Sequence, residues 1–406
     1  MSGAYNVGEQ LLQIHLRPFS YIAAAFALLA AMVGAQAEVS PIVVGAVVSQ
    51  TGSQAGLAAG YGQALVVWAR EVNAAGGLLG RKVELRVLDD HSEAARAGPA
   101  YAQLVAEGAE LLIGPYGSAA TLVAAAEAER TRHVMANGGG ASSRVYKRPQ
   151  RYVFQTLAPY ASYGEGVLEL AREAGLRSLL ILARNDTASV EMGEAAHERA
   201  LKMGMRVPEL EVYEAGADLA PLVARARKEG ADAWIVFGEV RDATEIVIAM
   251  KRAGFAPRFF FASSAGDPRF IEKVGQDAEL TLAALAYDPS FPTPYNSAFV
   301  ADYAALWSKP PDAAAAQGYA AASVLGRAVE QVGSLEQEKL RQALASLEIG
   351  TVLGTYRVAP SGEQTGMKPA VVQIQRGHAR VLWPPALRGE ARLQPYVDWN
   401  ERVLLK

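Results

Sequence analysis

The chain contains no cysteine. That absence excludes disulfides, cysteine-ligated zinc, thiol catalysis and lipid attachment at an N-terminal cysteine. Histidine is scarce, with five in 406 residues, and no HExxH or other metal-ligand spacing occurs. Neither sign of charge is in excess: 39 basic residues stand against 42 acidic ones, for a net charge of -3. The basic residues are scattered, so neither a nucleic-acid surface nor a polybasic membrane patch is expected. Catalytic signatures are missing as well. No GxSxG elbow is present. Residues 76–82 lack the GxxxxGK spacing of a phosphate loop and follow a helical pattern rather than a strand, and residues 138–142 do not form GxGxxG. Asp89-Asp90-His91 is the one cluster of metal-ligand residue types. The expectation is a protein that is not an enzyme, with no metal and no cofactor; an amidase or dehydrogenase on an α/β sheet is the alternative.

Long apolar runs are also few. Residues 21–34 are rich in Ala, Leu, Ile, Phe and Val, with Arg17 before them and Ala35-Gln36-Ala37 after. A basic flank, a short apolar core and an A-x-A site describe a secretory signal peptide. At about 14 residues the run is shorter than the ~20 that span a bilayer, although a single membrane anchor is the alternative. The region before it is long and carries Glu9, which initiation near Leu16 would explain. The expectation is a signal peptide over residues 1–37, a mature N-terminus at Glu38, and a soluble extracytoplasmic protein without lipid.

What remains is a globular composition, 51% hydrophobic and 20% charged, on a chain long enough for two or three cores. Short apolar runs suited to buried strands fall at residues 42–48, 83–88, 110–114, 134–136, 152–155, 179–182, 210–213, 234–237 and 259–261. Helical patterns lie between them, several ending where Gly175, Gly204, Gly230 and Gly254 sit as helix C′ residues. Strands that are apolar throughout and alternate with helices indicate parallel sheets covered on both faces. Two sheets of about five strands each suit the length better than one of nine. Two βαβαβ halves meet near Thr156. Residues 298–307, 312–332 and 337–347 then read as helices, and residues 354–397 as short strands broken by Pro and Gly.

Ligands of open parallel sheets sit beyond the carboxyl ends of strands, against helix N-termini. Leu111-Leu112-Ile113-Gly114 ends in Pro115-Tyr116-Gly117-Ser118, where a helix begins. The Ser118 hydroxyl and the free N–H groups of the next residues can hold a carboxylate; plain N-capping is the alternative. Gly138-Gly139-Gly140 permits close backbone approach, for a ligand or for a tight turn.

Thr51-Gly52, residues 72–82, Asp89-Asp90, residues 113–121, Asn137-Gly138-Gly139-Gly140-Ala141-Ser142 and Ala315-Ala316-Gln317-Gly318-Tyr319-Ala320-Ala321 occur in an order and spacing that resembles the branched-chain amino acid binding proteins, the extracytoplasmic receptors of ABC importers. The resemblance runs over essentially all of the expected mature chain. It implies a type I periplasmic binding fold, two α/β lobes joined by three hinge crossovers near residues 156–158, 288–291 and 350–357. One lobe would take residues 38–157 and 289–354, the other residues 158–288 and 355–406. It also implies an amino acid or related small carboxylate or amide in the cleft, no cofactor, and a permease with its ATPase as partners. The same fold serves as a sensing module for a separate membrane signalling partner, which is the alternative role.

Site residues follow from the same resemblance. Tyr116, Ser118, Gly139, Gly140, Ala141 and Ser142 would bind the ligand from the first lobe, although the family's threonine falls on Ala141 and Ser142 would substitute. In the second lobe the family's aromatic positions fall near Ser189 and on Val240, and its acidic partner for the ligand ammonium falls near Ser264. Glu239, or failing it Asp267, would replace that carboxylate, or else the ligand carries no ammonium, because an uncompensated charge in a closed cleft is costly.

Overall fold

A computed structural model describes residues 40–148 and 150–402. The expected signal peptide, with its Ala35-Gln36-Ala37 site, lies outside the described residues. Among the described residues, no helix is long and apolar enough to cross a membrane.

Two sheets carry the fold. The first has the order β2-β1-β3-β4-β5 and is parallel throughout. Its strands are β1 (Ile42–Val47), β2 (Val83–Leu88), β3 (Leu111–Ile113), β4 (Met135–Asn137) and β5 (Val153–Gln155). Helices α1 (Ala55–Ala74), α2 (Ala97–Ala106) and α3 (Ser118–Thr131) connect them. The second sheet has seven strands. In it β6 (Leu179–Arg184), β7 (Glu211–Tyr213), β8 (Ala233–Phe237), β9 (Phe259–Ala262) and β10 (Leu282–Leu285) run parallel in the order β7-β6-β8-β9-β10, repeating the order of the first sheet. Their helices are α4 (Glu165–Glu173), α5 (Thr187–Lys202), α6 (Ala220–Glu229), α7 (Val240–Arg252) and α8 (Pro268–Val274).

Alternation of side chains explains why the inner strands, such as β1 and β8, are apolar from end to end. Ile42, Val44 and Ala46 of β1 point into one core with α1, while Val43 and Val47 enter another with α2 and α3. The second sheet divides in the same way: Leu180 and Leu182 face one core, Leu179, Ile181 and Ala183 the other. A strand covered on both faces has no polar side to show water. The four expected C′ glycines hold positive φ, from 57° at Gly254 to 74° at Gly175.

The chain passes between the sheets three times. After β10 it returns to the first core as α9 (Asn296–Trp307), α10 (Ala313–Val332) and α11 (Gln337–Ser346). The hairpin of β11 (Ile349–Thr351) and β12 (Gly354–Tyr356) follows, and Tyr356 and Val358 still pack in the first core, beyond the boundary expected at residue 354. Strands β13 (Ala370–Gln375) and β14 (His378–Trp383) then extend the second sheet antiparallel beside β10. The sheets thus have five and seven strands rather than five each. β10 is short and Ala-rich, without a period that marks it, and β13 with β14 join it only through tertiary pairing.

Small residues set the crossing of α1 and α10. A Cβ on Gly318 would lie 2.6 Å from the Tyr61 carbonyl oxygen, so the Gln317-Gly318 step lets two buried helices touch backbone to backbone. Tyr61 in turn donates its hydroxyl to the Gly114 carbonyl at 2.8 Å, which anchors the end of β3. The segment after α1 is a structural turn: Asn73 pairs with both the N–H and the carbonyl of Val83, at 2.7 and 2.9 Å.

Candidate functional site

Both sheets share a strand order whose reversal falls beside the first strand of each half, and in such sheets the strand carboxyl ends border the ligand crevice. The loops after β1, β3 and β4 stand there in the first lobe. The loops after β6, β8 and β9 stand there in the second. A cavity of about 1370 Å³ takes Leu57, Asp312 and Ala313 from the first lobe and Glu239, Val240 and Ser264 from the second. Asp312 is the N-cap of α10, with its carboxylate accepting the Ala315 N–H at 2.8 Å.

In the first lobe the N-cap of α3 is Gly117, at φ 96° and ψ 137°, and Ser118 is the first helical residue. Ser118 is therefore not the cap. Its Oγ accepts the Ser142 N–H at 3.1 Å and bonds the Tyr160 side chain. The first backbone bond of the helix runs from the Thr121 N–H to the Gly117 carbonyl at 3.0 Å, which leaves the earlier N–H groups without an acceptor in the helix. Ala141 is buried and its carbonyl accepts the Tyr160 N–H at 3.0 Å.

The glycines after β4 serve the protein's own packing. A Cβ on Gly139 would lie 2.1 Å from the Pro115 carbonyl oxygen, and one on Gly140 would lie 2.5 Å from Thr121 Oγ1. The Gly117 N–H donates to the Gly139 carbonyl at 2.9 Å. The close approach foreseen for these residues is thus between two loops of one lobe. Buried Asn137 fixes the turn by accepting the Gly140 N–H at 2.8 Å and donating to the Gly140 carbonyl at 2.8 Å.

Three tyrosines gather at this edge. Tyr116 lies with its ring 6.1 Å from that of Tyr61, and Tyr160 lies 6.1 Å from Tyr163. Burial pushes all three cleft hydroxyls, Tyr116, Tyr160 and Tyr163, above the usual phenol range, and their proximity to one another adds to the effect at Tyr116 and Tyr163. They remain neutral donors at neutral pH. Tyr160 and Tyr163 escaped sequence reading because Tyr-x-x-Tyr after a crossover has no period that separates a site from a core.

The second-lobe expectations fare differently. Ser189 donates its hydroxyl and its N–H to Asp186, both at 2.9 Å; Asp186 is the N-cap of α5, so Ser189 belongs to a cap. Glu239 is the N-cap residue of α7, its N–H bonded to Asp242 at 2.8 Å. Its carboxylate pairs with the Arg184 guanidinium at 2.5 Å, so the charge foreseen for a ligand ammonium is already matched. Asp267 caps α8 and pairs with Arg269 at 2.6 Å, and that guanidinium holds its carboxyl below the usual range. Val240 opens α7 on the cavity wall. Ser264 lines the same cavity, and its hydroxyl oxygen is buried and has no hydrogen-bond partner.

Asp89, Asp90 and His91 hold the loop after β1. Asp90 accepts the Ser49 hydroxyl at 2.6 Å, and Asp89 accepts the Thr51 hydroxyl at 2.6 Å and the Gln50 N–H at 2.9 Å. Against a desolvation effect that acts the other way, the Thr51 hydroxyl and the N–H groups of His91, Gln50 and Thr51 hold the Asp89 carboxyl at about 2. Among the described residues, no group of His, Asp and Glu is arranged to hold a metal ion.

Two parallel-sheet lobes of repeated strand order, joined three times around a cleft at their strand ends, constitute a type I periplasmic binding fold. The chain belongs to the periplasmic binding protein family, whose sequence pattern matches residues 41–379. A leucine-, isoleucine-, valine-, threonine- and alanine-binding protein of Pseudomonas aeruginosa is 22% identical over 303 residues, 72% of this chain and 79% of its own length. An ABC transporter substrate-binding protein of Desulfitobacterium hafniense, solved in complex with Leu, superposes with a TM-score of 0.71 at 22% identity, covering 84% of this chain and all of its own. A solute-binding protein of R. palustris in complex with benzoate superposes with a TM-score of 0.67 at 18% identity, covering 88% of this chain and 98% of its own.

Proposed function

We propose that this protein is the extracytoplasmic solute-binding component of an ABC importer and takes an amino acid, or a related small carboxylate or amide, in the cleft between its lobes. The observation that carries this reading is the cavity shared by the two lobes at the carboxyl ends of their strands. The hinge segments are the three passages between the lobes, the last of them lying beyond Tyr356 and Val358, which still pack in the first core. Closure around the solute creates the surface that a permease and its ATPase read. Export through a signal peptide ending at Ala37 delivers the protein to the periplasm. No chemistry is performed on the solute. Related proteins bound to Leu and to benzoate support a ligand with a carboxyl group, with or without an ammonium.

A thermal-shift screen of residues 38–406 against amino acids, their amides and aromatic carboxylates tests the reading. A solute at a hundredfold excess over its Kd stabilises the folded state by about 2.7 kcal/mol. Absence of any shift across the panel, or turnover of a bound solute, would overturn it.

A further inference from the structure

Glu191 stands on α5 in the second lobe, and its carboxylate crosses the cleft. One oxygen accepts the Ser142 hydroxyl at 2.6 Å, and the other accepts the Ser143 N–H at 2.6 Å. Both donors belong to the loop after β4 in the first lobe. That loop is held in place from behind, since the Ser142 N–H is bonded to Ser118 Oγ at 3.1 Å and Ser118 is bonded to Tyr160. A carboxylate of the protein therefore sits on the donors that the first lobe would offer to the carboxylate of a solute. Its two short bonds are charge-assisted, one to each carboxylate oxygen.

We propose that Glu191 determines solute specificity: it stands in for a solute carboxylate at Ser142 and Ser143, clasps the lobes in the absence of solute, and turns the cleft toward the amide of a solute over its free acid. The proposal rests on the reading of the cleft as the solute site. The chemistry is that of donor and acceptor counting. An ionised acid is acceptor-only, and here it would meet a second acceptor-only group over one set of donors. Like charges that share one site disfavour each other. A primary amide has an NH₂ that donates to Glu191 and a carbonyl that accepts from the free N–H groups at the start of α3. Glu191 is the fifth residue of α5, placed by the Asp186 cap, so its direction across the cleft is set by the same turn that absorbs Ser189.

The test has two arms on the mature protein. In the first, small-angle scattering without solute compares wild type with Glu191→Ala and Glu191→Gln, each with and without acetate as a free carboxylate. Wild type keeps a compact radius of gyration that acetate does not change. Glu191→Ala opens to a larger radius, and acetate, filling the vacated place, closes it again. Glu191→Gln, which keeps the side chain's shape, opens partly and supplies the same comparison if the alanine variant does not fold. Equal radii for wild type and both variants would overturn the clasp. The second arm measures leucine against leucinamide and benzoate against benzamide by calorimetry. Wild type favours the amide by about tenfold, the loss expected for one charge-assisted hydrogen bond, and in Glu191→Ala the ratio falls to unity or inverts. A wild type that favours the acid overturns the specificity role. If no member of either pair binds, the solute-class reading fails, while the acetate response still decides whether Glu191 holds a carboxylate site.

Discussion

Ser118 Oγ accepts the Ser142 N–H at 3.1 Å, and this bond joins the start of α3 to the loop after β4 across 24 residues of sequence. The two loops that face the cleft from the first lobe are therefore one unit, reinforced by the Gly117 N–H on the Gly139 carbonyl. Replacing Ser118 by Ala leaves the partly buried Ser142 N–H without its acceptor, at a cost of about 1–3 kcal/mol in stability. A solute that touches this edge should lose roughly ten- to a hundredfold in affinity. Calorimetry beside ligand-free melting separates the two effects. An unchanged Kd with a lowered melt would make Ser118 a tie between loops and nothing more.

Gly139 should be the least tolerant of the cleft glycines. Its Cβ would meet the Pro115 carbonyl oxygen at 2.1 Å, a backbone atom that cannot swing aside, whereas Gly140 would meet the Thr121 side chain. Gly139→Ala is expected to cost about 1–3 kcal/mol by overpacking and to push the two loops apart. Urea denaturation measures the first and solute affinity the second. A fully stable Gly139→Ala protein with normal binding would contradict the packing described for this loop.

Ser264 offers the opposite trade. Its buried hydroxyl oxygen has no partner, so Ser264→Ala removes an unsatisfied polar group and should raise ligand-free stability by about 1 kcal/mol. The same change should weaken a solute that bonds this hydroxyl. A higher melting temperature together with a poorer Kd is the expected pair of results. A lowered melt without solute would show that Ser264 has a partner in solution.

Glu239 should matter little to solute charge. Its carboxylate is exposed and paired with Arg184, and pairs of this kind contribute about 0–1 kcal/mol. Glu239→Gln should therefore shift the melt slightly and weaken an amino acid and its deaminated analogue to the same small degree. A selective loss for the amino acid would restore Glu239 as the partner of an ammonium.

Away from the cleft, Glu71 on α1 gives a pH signature. Burial, chiefly, raises its carboxyl from 4.5 to about 7; the Tyr319 hydroxyl bond opposes the rise and the nearby Asp302 adds to it. The folded state then binds more protons than the unfolded state between about 4.5 and 7, so the group's contribution is complete below 4.5 and is lost as pH rises through 7. Glu71→Gln copies the protonated form. Its melting temperature should match wild type near pH 4.5 and exceed it increasingly toward pH 8. A constant gap across that range would remove Glu71 as the source.

Much of the architecture was legible because it is written locally. The run at residues 42–48 is apolar at every position, as both cores that receive β1 require, and Gly230 after α6 holds the φ of 64° that a helix C′ residue needs. The helix start beyond β3 was legible for the same reason, although Gly117 rather than Ser118 proved to be its cap. The second-lobe site was read less well. Serine after a strand is compatible with a ligand contact and with a helix cap, and only the position of Asp186 decides that Ser189 is the latter. Glu239 was legible as a carboxylate at the cleft, but Arg184, which neutralises it, stands 55 residues earlier on another strand.

By itself, then, the sequence determined the succession of strands and helices as far as β9, the double covering of both sheets and the family, since each rests on periods and turns that span a few residues. Tertiary structure alone decided that β13 and β14 complete the second sheet, that the glycines after β4 serve loop packing, and that Glu191 meets Ser142. The reason is physical. Burial pattern records which face of an element is covered, but not by what, and the partner is chosen when segments 49 residues apart are closed together by the cores beneath them.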